Sequence, residues 1–304
     1  MIILACPGQG SQTPGFLSPW LELDGVPELL ERFSDAADVD IVRHGTQSDA
    51  DTIRDTAIAQ PLIVAAGLVT AYALEQRGAL AGIGGIAGHS VGEFTAAAIS
   101  GVVDDAAALR LVRTRAVAMA RAAGEETTGM SAVLGGDQAD VESAAERAGL
   151  SAANYNGGGQ IVVAGRTADL ETFAAEPPSG TRVIPLQVAG AFHTRFMESA
   201  RADLAAAVAD VSASDPRVTL WTNNDGSRVD DGARFLDLLV TQVSSPVRWD
   251  ACMAAFAEAG ATGLVEVAPA GALTGLARRG LKGLPTVAIK TPDDLQAAVD
   301  LIAA

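Results

Sequence analysis

The chain has 304 residues, 49% of them hydrophobic and 19% charged, which argues against disorder and allows one large α/β domain or a domain with a smaller insert. Its formal net charge of −16 argues against non-specific nucleic-acid binding, since neutralising phosphates needs a surface rich in lysine and arginine. The two cysteines, Cys6 and Cys252, lack the spacing of a zinc site or a disulfide framework. We therefore expect no bound metal and a location in the reducing cytoplasm.

Neither a secretion signal nor a membrane span is expected. The N-terminus, MIILACPGQGSQ, has no basic start and no proper apolar core of a signal peptide. No apolar run reaches the length of about 18 residues that a span requires without containing a charge, a glycine or a proline. We therefore expect a soluble cytoplasmic protein that does not bind membranes.

The first part of the chain alternates short apolar runs with long alanine-rich amphipathic segments. In chain order these predict a strand at 2–6, a helix at 61–78, a strand at 83–88 and a helix at 104–123. Pro61 would occupy the first position of the first helix and Gly78 would follow its end. Asp104 is the expected cap of the second helix.

A different pattern begins near Gly124. It predicts a strand at 129–136, a helix at 138–149, two strands within 151–166, a helix at 167–176 and a strand at 181–190. This β-α-β-β-α-β order matches the ferredoxin-like arrangement. We therefore expect an α/β fold in which residues 125–192 form a small inserted ferredoxin-like α+β subdomain.

The remainder of the chain returns to alternating helices and strands. The pattern predicts helices at 196–210, 232–243, 249–259 and 271–280 and strands at 218–223 and 263–269. Residues 1–124 and 193–304 are therefore expected to form a large α/β-hydrolase-like subdomain with a parallel sheet. A substrate site is expected in the cleft between the two subdomains.

A GxSxG motif, Gly88-His89-Ser90-Val91-Gly92, lies between a predicted strand and the next helical pattern. Glycines permit a sharp turn that exposes the serine hydroxyl, and the helix N-terminus brings backbone N–H groups beside it. Ser90 is therefore the candidate nucleophile, with a plain turn or helix cap as the alternative.

Three histidines could act as the base for Ser90. Neighbouring side chains point in different directions, so His89 better fits packing or hydrogen bonding inside the turn. His44 is flanked by charged and turn residues, as a surface residue would be. By elimination His193, where the insert rejoins the large subdomain, is the candidate base, and serine before histidine is the order expected on an α/β scaffold. A buried structural histidine is the alternative.

A series of motifs in order resembles the malonyl-CoA:acyl carrier protein transacylases of fatty acid and polyketide synthesis. The resemblance spans nearly the whole chain, and the order is far more specific than any single motif. The motifs are PGQGSQ (7–12), GHSVGEF (88–94), RAVAM (115–119), NYNGGGQIVVAG (154–165), GAFHTRFM (190–197), QVSSPVRW (242–249) and VEVAPAGALTGL (265–276).

The resemblance implies ping-pong acyl transfer. Ser90 would attack the malonyl thioester, and His193 would take its proton and return it to the departing thiol. In this family a backbone carbonyl in the late loop orients the histidine. It maps to Gln242 or its neighbours, so we expect little from the side chain at 242. The oxyanion hole maps to the backbone N–H groups of Gln9 and Val91.

The resemblance also implies how substrate is held. Arg115 matches the arginine that pairs with the malonyl carboxylate, although spacing alone does not distinguish it from the other arginines of its helix. Phe192 resembles the bulky residue of malonyl-selecting members, with core packing as the alternative. Gln9, in the N-terminal loop, is a further substrate-binding candidate. No bound cofactor is implied; the substrates are malonyl-CoA and holo-acyl carrier protein.

The coenzyme A thioester and an acidic carrier protein are both anionic, so a chain of net charge −16 needs a local basic patch to bind them. The candidates are ARRGLKG (277–283), Arg195 and Arg166. Solvated cations at a helix end are the alternative for the first of these. We expect the acyl carrier protein as partner and a monomeric chain.

Other functions also fit a serine elbow. A polyketide-pathway acyltransferase would carry another extender unit. A serine thioesterase or esterase would release the acid to water and would need no arginine for a malonyl carboxylate. A non-catalytic carrier-docking module would need neither Ser90, His193 nor Arg115.

Overall fold

A five-stranded parallel sheet forms the centre of the larger part of the protein. In the structure, a computed structural model that describes residues 1–304, its strands from edge to edge are β10 (Thr286–Ala288), β9 (Gly263–Glu266), β1 (Ile2–Cys6), β2 (Ile83–Gly88) and β7 (Thr219–Trp221). All neighbouring strands run parallel. Every residue of β1 is buried, with alternate side chains entering two different apolar cores, because helices cover both faces of the sheet.

Ten helices surround this sheet, and the sequence predicted all of them except the first two and the last. They are α1 (Val26–Ala37), α2 (Ile41–Thr46), α3 (Thr56–Glu75), α4 (Gly92–Ser100), α5 (Asp105–Ala123), α8 (Arg201–Ala209), α9 (Gly232–Gln242), α10 (Trp249–Glu258), α11 (Ala272–Gly280) and α12 (Leu295–Ala303). As expected, the side chain of Asp104 caps α5 by accepting a hydrogen bond from the Ala107 N–H. The helix predicted at 196–210 opens as a 3-10 helix, Arg195–Ala200, before α8.

Helix α3 begins earlier than predicted, and Pro61 lies inside it rather than at its first position. Asp55 caps the helix by accepting a hydrogen bond from the Ala57 N–H. Pro61 has no N–H to offer the carbonyl of Ala57 four residues earlier. That carbonyl instead accepts a hydrogen bond of 3.0 Å from Arg113 Nη1, which compensates for the missing donor.

Helix α3 is also long and apolar enough to cross a membrane by length and composition. The proline and glycine expected to interrupt this apolar run do not break the helix. However, 83% of its apolar stretch is buried inside the protein. Its hydrophobicity is therefore accounted for by packing in the main core.

A second sheet contains the predicted β-α-β-β-α-β unit. Its strands are β6 (Thr181–Pro185), β3 (Thr128–Gly135), β5 (Gln160–Arg166), β4 (Ser151–Gly157) and β8 (Val247–Arg248), in that spatial order. The first four are antiparallel. Helices α6 (Gln138–Arg147) and α7 (Thr167–Ala175) bury Val133, Ile161 and Val163 against one face. Ala132 and Val162 belong to the main core instead, so this sheet also packs against the rest of the protein.

One strand of the second sheet comes from outside the predicted insert of 125–192. Strand β8 pairs in parallel with β4, so that Asn154 lies opposite Val247 and Tyr155 opposite Arg248. The Arg248 guanidinium also lies over the Tyr155 ring, 4.7 Å from its centroid. Two residues are too few to give a periodic pattern, so the sequence did not indicate this strand. The small sheet is therefore not built from residues 125–192 alone.

Candidate active site

Ser90 occupies a strained turn between β2 and α4. Its φ is +52°, in the left-handed region that residues other than glycine rarely adopt. Two side chains from distant parts of the chain fix this turn. The Ser90 N–H donates to Asn223 Oδ1 at 2.8 Å, and the Ser90 carbonyl accepts from Gln242 Nε2 at 3.0 Å.

The glycines of the motif serve close packing rather than the turn itself. Neither Gly88 nor Gly92 has a positive φ. A Cβ at Gly92 would overlap the carbonyl oxygen of Cys6, and a Cβ at Gly88 would overlap the backbone nitrogen of Glu93. The two glycines therefore let the start of α4 press directly against β1 and β2, while the positive φ falls on Ser90.

His193 faces Ser90 across the cleft, and no other histidine does. Its Nε2 lies 2.7 Å from Ser90 Oγ, and its Nδ1 lies 2.9 Å from the Gln242 carbonyl oxygen. Because a carbonyl only accepts hydrogen bonds, Nδ1 carries the hydrogen and the lone pair of Nε2 points at the hydroxyl. Burial, aided by the positive charge of Arg115, lowers the pKa of His193 to about 3, so the ring is neutral and can accept a proton.

His89 points away from Ser90 Oγ and connects the elbow to the second sheet. Its Nε2 bonds Asn156 Oδ1 at 2.9 Å, and Asn156 Nδ2 donates to Gln160 Oε1 at 3.1 Å. Burial lowers the pKa of His89 below its usual value. This is the hydrogen-bonding role expected from the sequence. His44 lies on helix α2, hydrogen-bonds Ser48 Oγ and does not line the cavity.

Arg115 is buried on α5 with its guanidinium beside the serine hydroxyl. Its Nη2 lies 2.7 Å from Gln242 Oε1 and 3.3 Å from Ser90 Oγ, and its Nη1 lies 2.6 Å from Gln60 Oε1. Burial lowers the pKa of Arg115 to about 10, against the opposing influence of Glu93. It therefore remains a cation at neutral pH. The structure thus distinguishes it from the other arginines of α5, none of which lines the cavity.

The expectation that the side chain at 242 matters little is wrong. Gln242 is buried, and its amide contacts three parts of the site. Its Oε1 accepts from Arg115, while its Nε2 donates to the carbonyl of Ser90 and to Glu93 Oε2. Backbone and side chain of one residue therefore hold the histidine, the arginine and the serine together.

Glu93 is a functional candidate that the sequence analysis missed. It is fully buried, and its Oε1 accepts from the Thr222 hydroxyl at 3.0 Å and from the Asn223 N–H at 2.7 Å. Burial raises its pKa to about 7, opposed by these hydrogen bonds and by Arg115. A signal was present, because Glu93 is the only charged residue of the otherwise apolar and polar-neutral segment GEFTAAAIS.

Ser90, His193, Arg115 and His89 line a cavity of about 470 Å³ between the two sheets. Phe192 and Gln9 also line it, Phe192 almost completely buried and Gln9 partly exposed. The opposite wall comes from the second sheet and carries Met130, Asn154, Asn156 and Gln160. Val91 reaches the cavity too, and the backbone N–H groups of Gln9 and Val91 donate to no acceptor in the protein. Both amides are therefore free to receive a ligand oxygen.

The candidate basic residues do not form one patch. Arg279, at the end of α11, lines the cavity. Arg166 and Arg195 lie instead at a separate depression that also carries Glu126 and Glu198, and Arg166 pairs with Glu126 at 3.0 Å. Neither Arg166 nor Arg195 lines the cavity, so the structure gives no support to their place at its mouth. No group of three or more His, Cys, Asp or Glu residues that could hold a metal ion occurs in the protein.

Comparison with known proteins gives a consistent result over the whole chain. Residues 4–295 match the family described as the acyl transferase domain. The malonyl CoA-acyl carrier protein transacylase of Mycobacterium tuberculosis is 50% identical over 302 residues, covering 99% of this chain and 100% of the relative.

Solved structures agree with the sequence comparison. The crystal structure of MCAT from Mycobacterium tuberculosis superposes with a TM-score of 0.95 at 50% identity and covers 98% of this chain and 99% of that one. A holo type II PKS acyl-carrier protein has been solved in complex with its malonyl-transacylase, and the matching chain of that complex has a TM-score of 0.92 at 28% identity, covering 98% and 99%.

Proposed function

Because the chain belongs to the acyl transferase domain family, we propose that it transfers a malonyl group from malonyl-CoA to the phosphopantetheine thiol of acyl carrier protein. The observation that carries this proposal is the position of the Arg115 guanidinium, 3.3 Å from a serine hydroxyl that is itself 2.7 Å from a neutral histidine. A nucleophile and base beside a buried cation suit an acyl group that ends in a carboxylate.

The first half-reaction acylates Ser90. Its Oγ attacks the thioester carbonyl while its proton passes to His193 Nε2, which the Gln242 carbonyl keeps in the required tautomer. The tetrahedral intermediate expels the coenzyme A sulfur, which takes the proton from His193. In the second half-reaction the carrier thiol gives its proton to His193 and attacks the ester, and the proton then returns to Ser90. Atoms and charge balance at each step, and no cofactor is needed.

The free backbone N–H groups of Gln9 and Val91 are proposed to receive the developing oxyanion. Val91 follows the nucleophile at the N-terminus of α4, where an amide and the helix dipole act in the same direction. Loss of one such donor costs on the order of 10² to 10³ in rate.

Arg115 is proposed to bind the malonyl carboxylate. Its Nε is buried without a hydrogen-bond partner, and its two terminal nitrogens make three bonds to protein atoms, so the guanidinium retains donors for a ligand. Phe192 on the cavity wall is proposed to crowd the α-carbon and so to favour malonyl over a branched extender unit. Phe192 therefore argues against the alternative function, that of a polyketide-pathway acyltransferase that uses another extender unit.

The proposed partner is an acyl carrier protein, which is what the malonyl-transacylase in the solved complex binds. The similarity in fold between this chain and that malonyl-transacylase supports an acyl carrier protein as partner. Arg279, a cation that lines the cavity, supports it as well. We further propose that the chain acts as a monomer in the cytoplasm. Its one long apolar helix is buried within the core, so that helix needs no membrane to cover it.

Intact-protein mass spectrometry tests the proposal. Incubation with malonyl-CoA should add one malonyl group, and the Ser90→Ala variant should add none. Adding holo-acyl carrier protein should move the group to the carrier faster than water releases malonate. Hydrolysis that outpaces transfer would identify a thioesterase instead, and no adduct with any acyl-CoA would identify a non-catalytic docking module.

A further inference from the structure

Every hydrogen bond to the Glu93 carboxylate is one that it accepts. The donors are the Thr222 hydroxyl, the Asn223 N–H and the Gln242 amide, and together they use both carboxylate oxygens. The site lies within the core and excludes water from these atoms. The ionised carboxylate, an acceptor-only group, satisfies all three donors at once.

The amide of Gln242 lies between this acceptor and a donor. The Gln242 Nε2 donates to the Glu93 carboxylate. The Gln242 Oε1 accepts from Arg115 Nη2 at 2.7 Å. Only one orientation of the amide satisfies both neighbours. If the amide turned over, its NH₂ would face the guanidinium, and two donors would oppose each other in a buried site, which is unfavourable because neither could be satisfied.

We propose that Glu93 is a positioning residue for carboxylated acyl groups, holding the Gln242 amide so that its oxygen anchors the Arg115 guanidinium toward the acyl pocket. This inference rests on the proposed function, because it concerns how that function selects malonyl. Glu93 itself touches neither the serine hydroxyl nor the cavity; it acts through Gln242.

Glu93 also supports the nucleophile, and the two effects can be separated. It accepts from the backbone of Asn223, whose side chain holds the Ser90 N–H. Disturbing the serine slows transfer of every acyl group alike. Disturbing Arg115 affects an acyl group that carries a carboxylate far more than one that does not. The ratio of malonyl to acetyl transfer therefore reports the arginine alone.

The test is the Glu93→Gln variant, assayed for acyl-enzyme formation from malonyl-CoA and from acetyl-CoA. The substituted side chain must place its own NH₂ against one of the three donors, so the amide of Gln242 loses its fixed orientation. We expect the malonyl-to-acetyl ratio of kcat/KM to fall about tenfold, mainly through a higher KM for malonyl-CoA. In an Arg115→Ala background, the same substitution should leave the ratio unchanged.

Glu266→Gln is the matched control. Glu266 is equally buried and accepts three backbone N–H groups, from Gly271, Leu273 and Thr274, but it contacts neither Arg115 nor Gln242. It should lower the thermal midpoint without changing the ratio. If Glu93→Gln does not fold, Gln242→Met decides, because it removes the amide but keeps the carbonyl that His193 needs.

Two outcomes would overturn the inference: an unchanged malonyl-to-acetyl ratio in folded Glu93→Gln or in Gln242→Met, even if both rates fall, or the same change of the ratio in the Arg115→Ala background. Each presupposes a wild-type protein that accepts malonyl from malonyl-CoA. A wild-type protein that forms no malonyl ester would instead contradict the proposed function, so the two failures are distinguishable.

Discussion

Ser90 and His193 both have a positive φ, +52° and +60°, and only one other non-glycine residue in the chain does. Such a backbone costs on the order of 1–3 kcal/mol per residue and persists only where surrounding contacts enforce it. Asn223 and Gln242 supply such contacts to the Ser90 backbone, and the Gln242 carbonyl holds the ring of His193. The alignment of the two reacting groups is therefore set by residues more than a hundred positions from Ser90 along the chain.

At the residue scale, Arg115→Ala should abolish the preference for malonyl. Without the guanidinium the malonyl carboxylate would enter a buried site with no cation, so malonyl transfer should fall by about 10² or more. Acetyl transfer should fall much less. Rates of acyl-enzyme formation with both thioesters check this, and an equal fall in the two would contradict the assignment of Arg115 to the carboxylate.

The low pKa of His193, about 3, predicts an unusual pH profile. A lowered histidine pKa keeps the neutral, proton-accepting form at every pH above that value. Acylation by acetyl-CoA, which avoids the arginine–carboxylate pair, should therefore show no loss from His193 protonation between about pH 8 and about pH 5. A base with the ordinary pKa of about 6.5 would lose more than nine-tenths of its rate over that range. Glu93, with a pKa of about 7, also titrates in this range, so an acid limb centred near pH 6.5 that persists in the Glu93→Gln variant would contradict the burial argument.

At the element scale, the sequence predicted what periodicity and local chemistry determine. Patterns of a few residues predict the strand and helix that flank Ser90 and the β-α-β-β-α-β unit. They also predict that the His89 side chain is not the base for Ser90. The two-residue strand β8 and the interior position of Pro61 could not be predicted, because each depends on a partner far along the chain. For the same reason the side chain of Gln242 was undervalued.

The contact between α4 and β1 predicts the effect of Gly92→Ala. The added Cβ would overlap the Cys6 carbonyl, and backbone on both sides leaves no room to relax. We expect a loss of stability of about 2–4 kcal/mol and a displaced Ser90, hence slow acylation. Thermal unfolding and acyl-enzyme formation measure both.

Gly275→Ala is a suitable comparison for stability. Gly275 lies in α11, and a Cβ there meets no atom within 4 Å. Its thermal midpoint should stay the same or rise slightly, because alanine is the better helix former by about 1 kcal/mol. Equal destabilisation of the two variants would show that packing at the elbow is not the cause.

At the scale of the whole molecule, a net charge of −16 repels both anionic substrates, so the few cations near the cavity should dominate carrier binding. The double variant Arg279→Glu/Lys282→Glu should raise the KM for holo-acyl carrier protein about tenfold at low salt, and less at high salt. Hydrolysis of a preformed malonyl ester should not change.

The double variant Arg228→Glu/Arg234→Glu serves as the charge-matched control for that experiment. Both arginines are exposed and lie outside the cavity. If their reversal raised the KM for the carrier as much as the first double variant, the effect would come from total charge and not from a docking position beside the cavity.

The pairing of β8 with β4 makes the segment from Gln242 to Arg248 a mechanical tether. One end of this segment holds His193 and Arg115, the other is a strand of the second sheet, and the Arg248 N–H also bonds the carbonyl of Asn223 at 2.7 Å. Swinging the second sheet away from the first would pull directly on the residues that align the nucleophile and its base. We therefore expect the two sheets to move as one unit during turnover. A long pantetheine arm would then enter through the opening of the cleft that is already present in the structure.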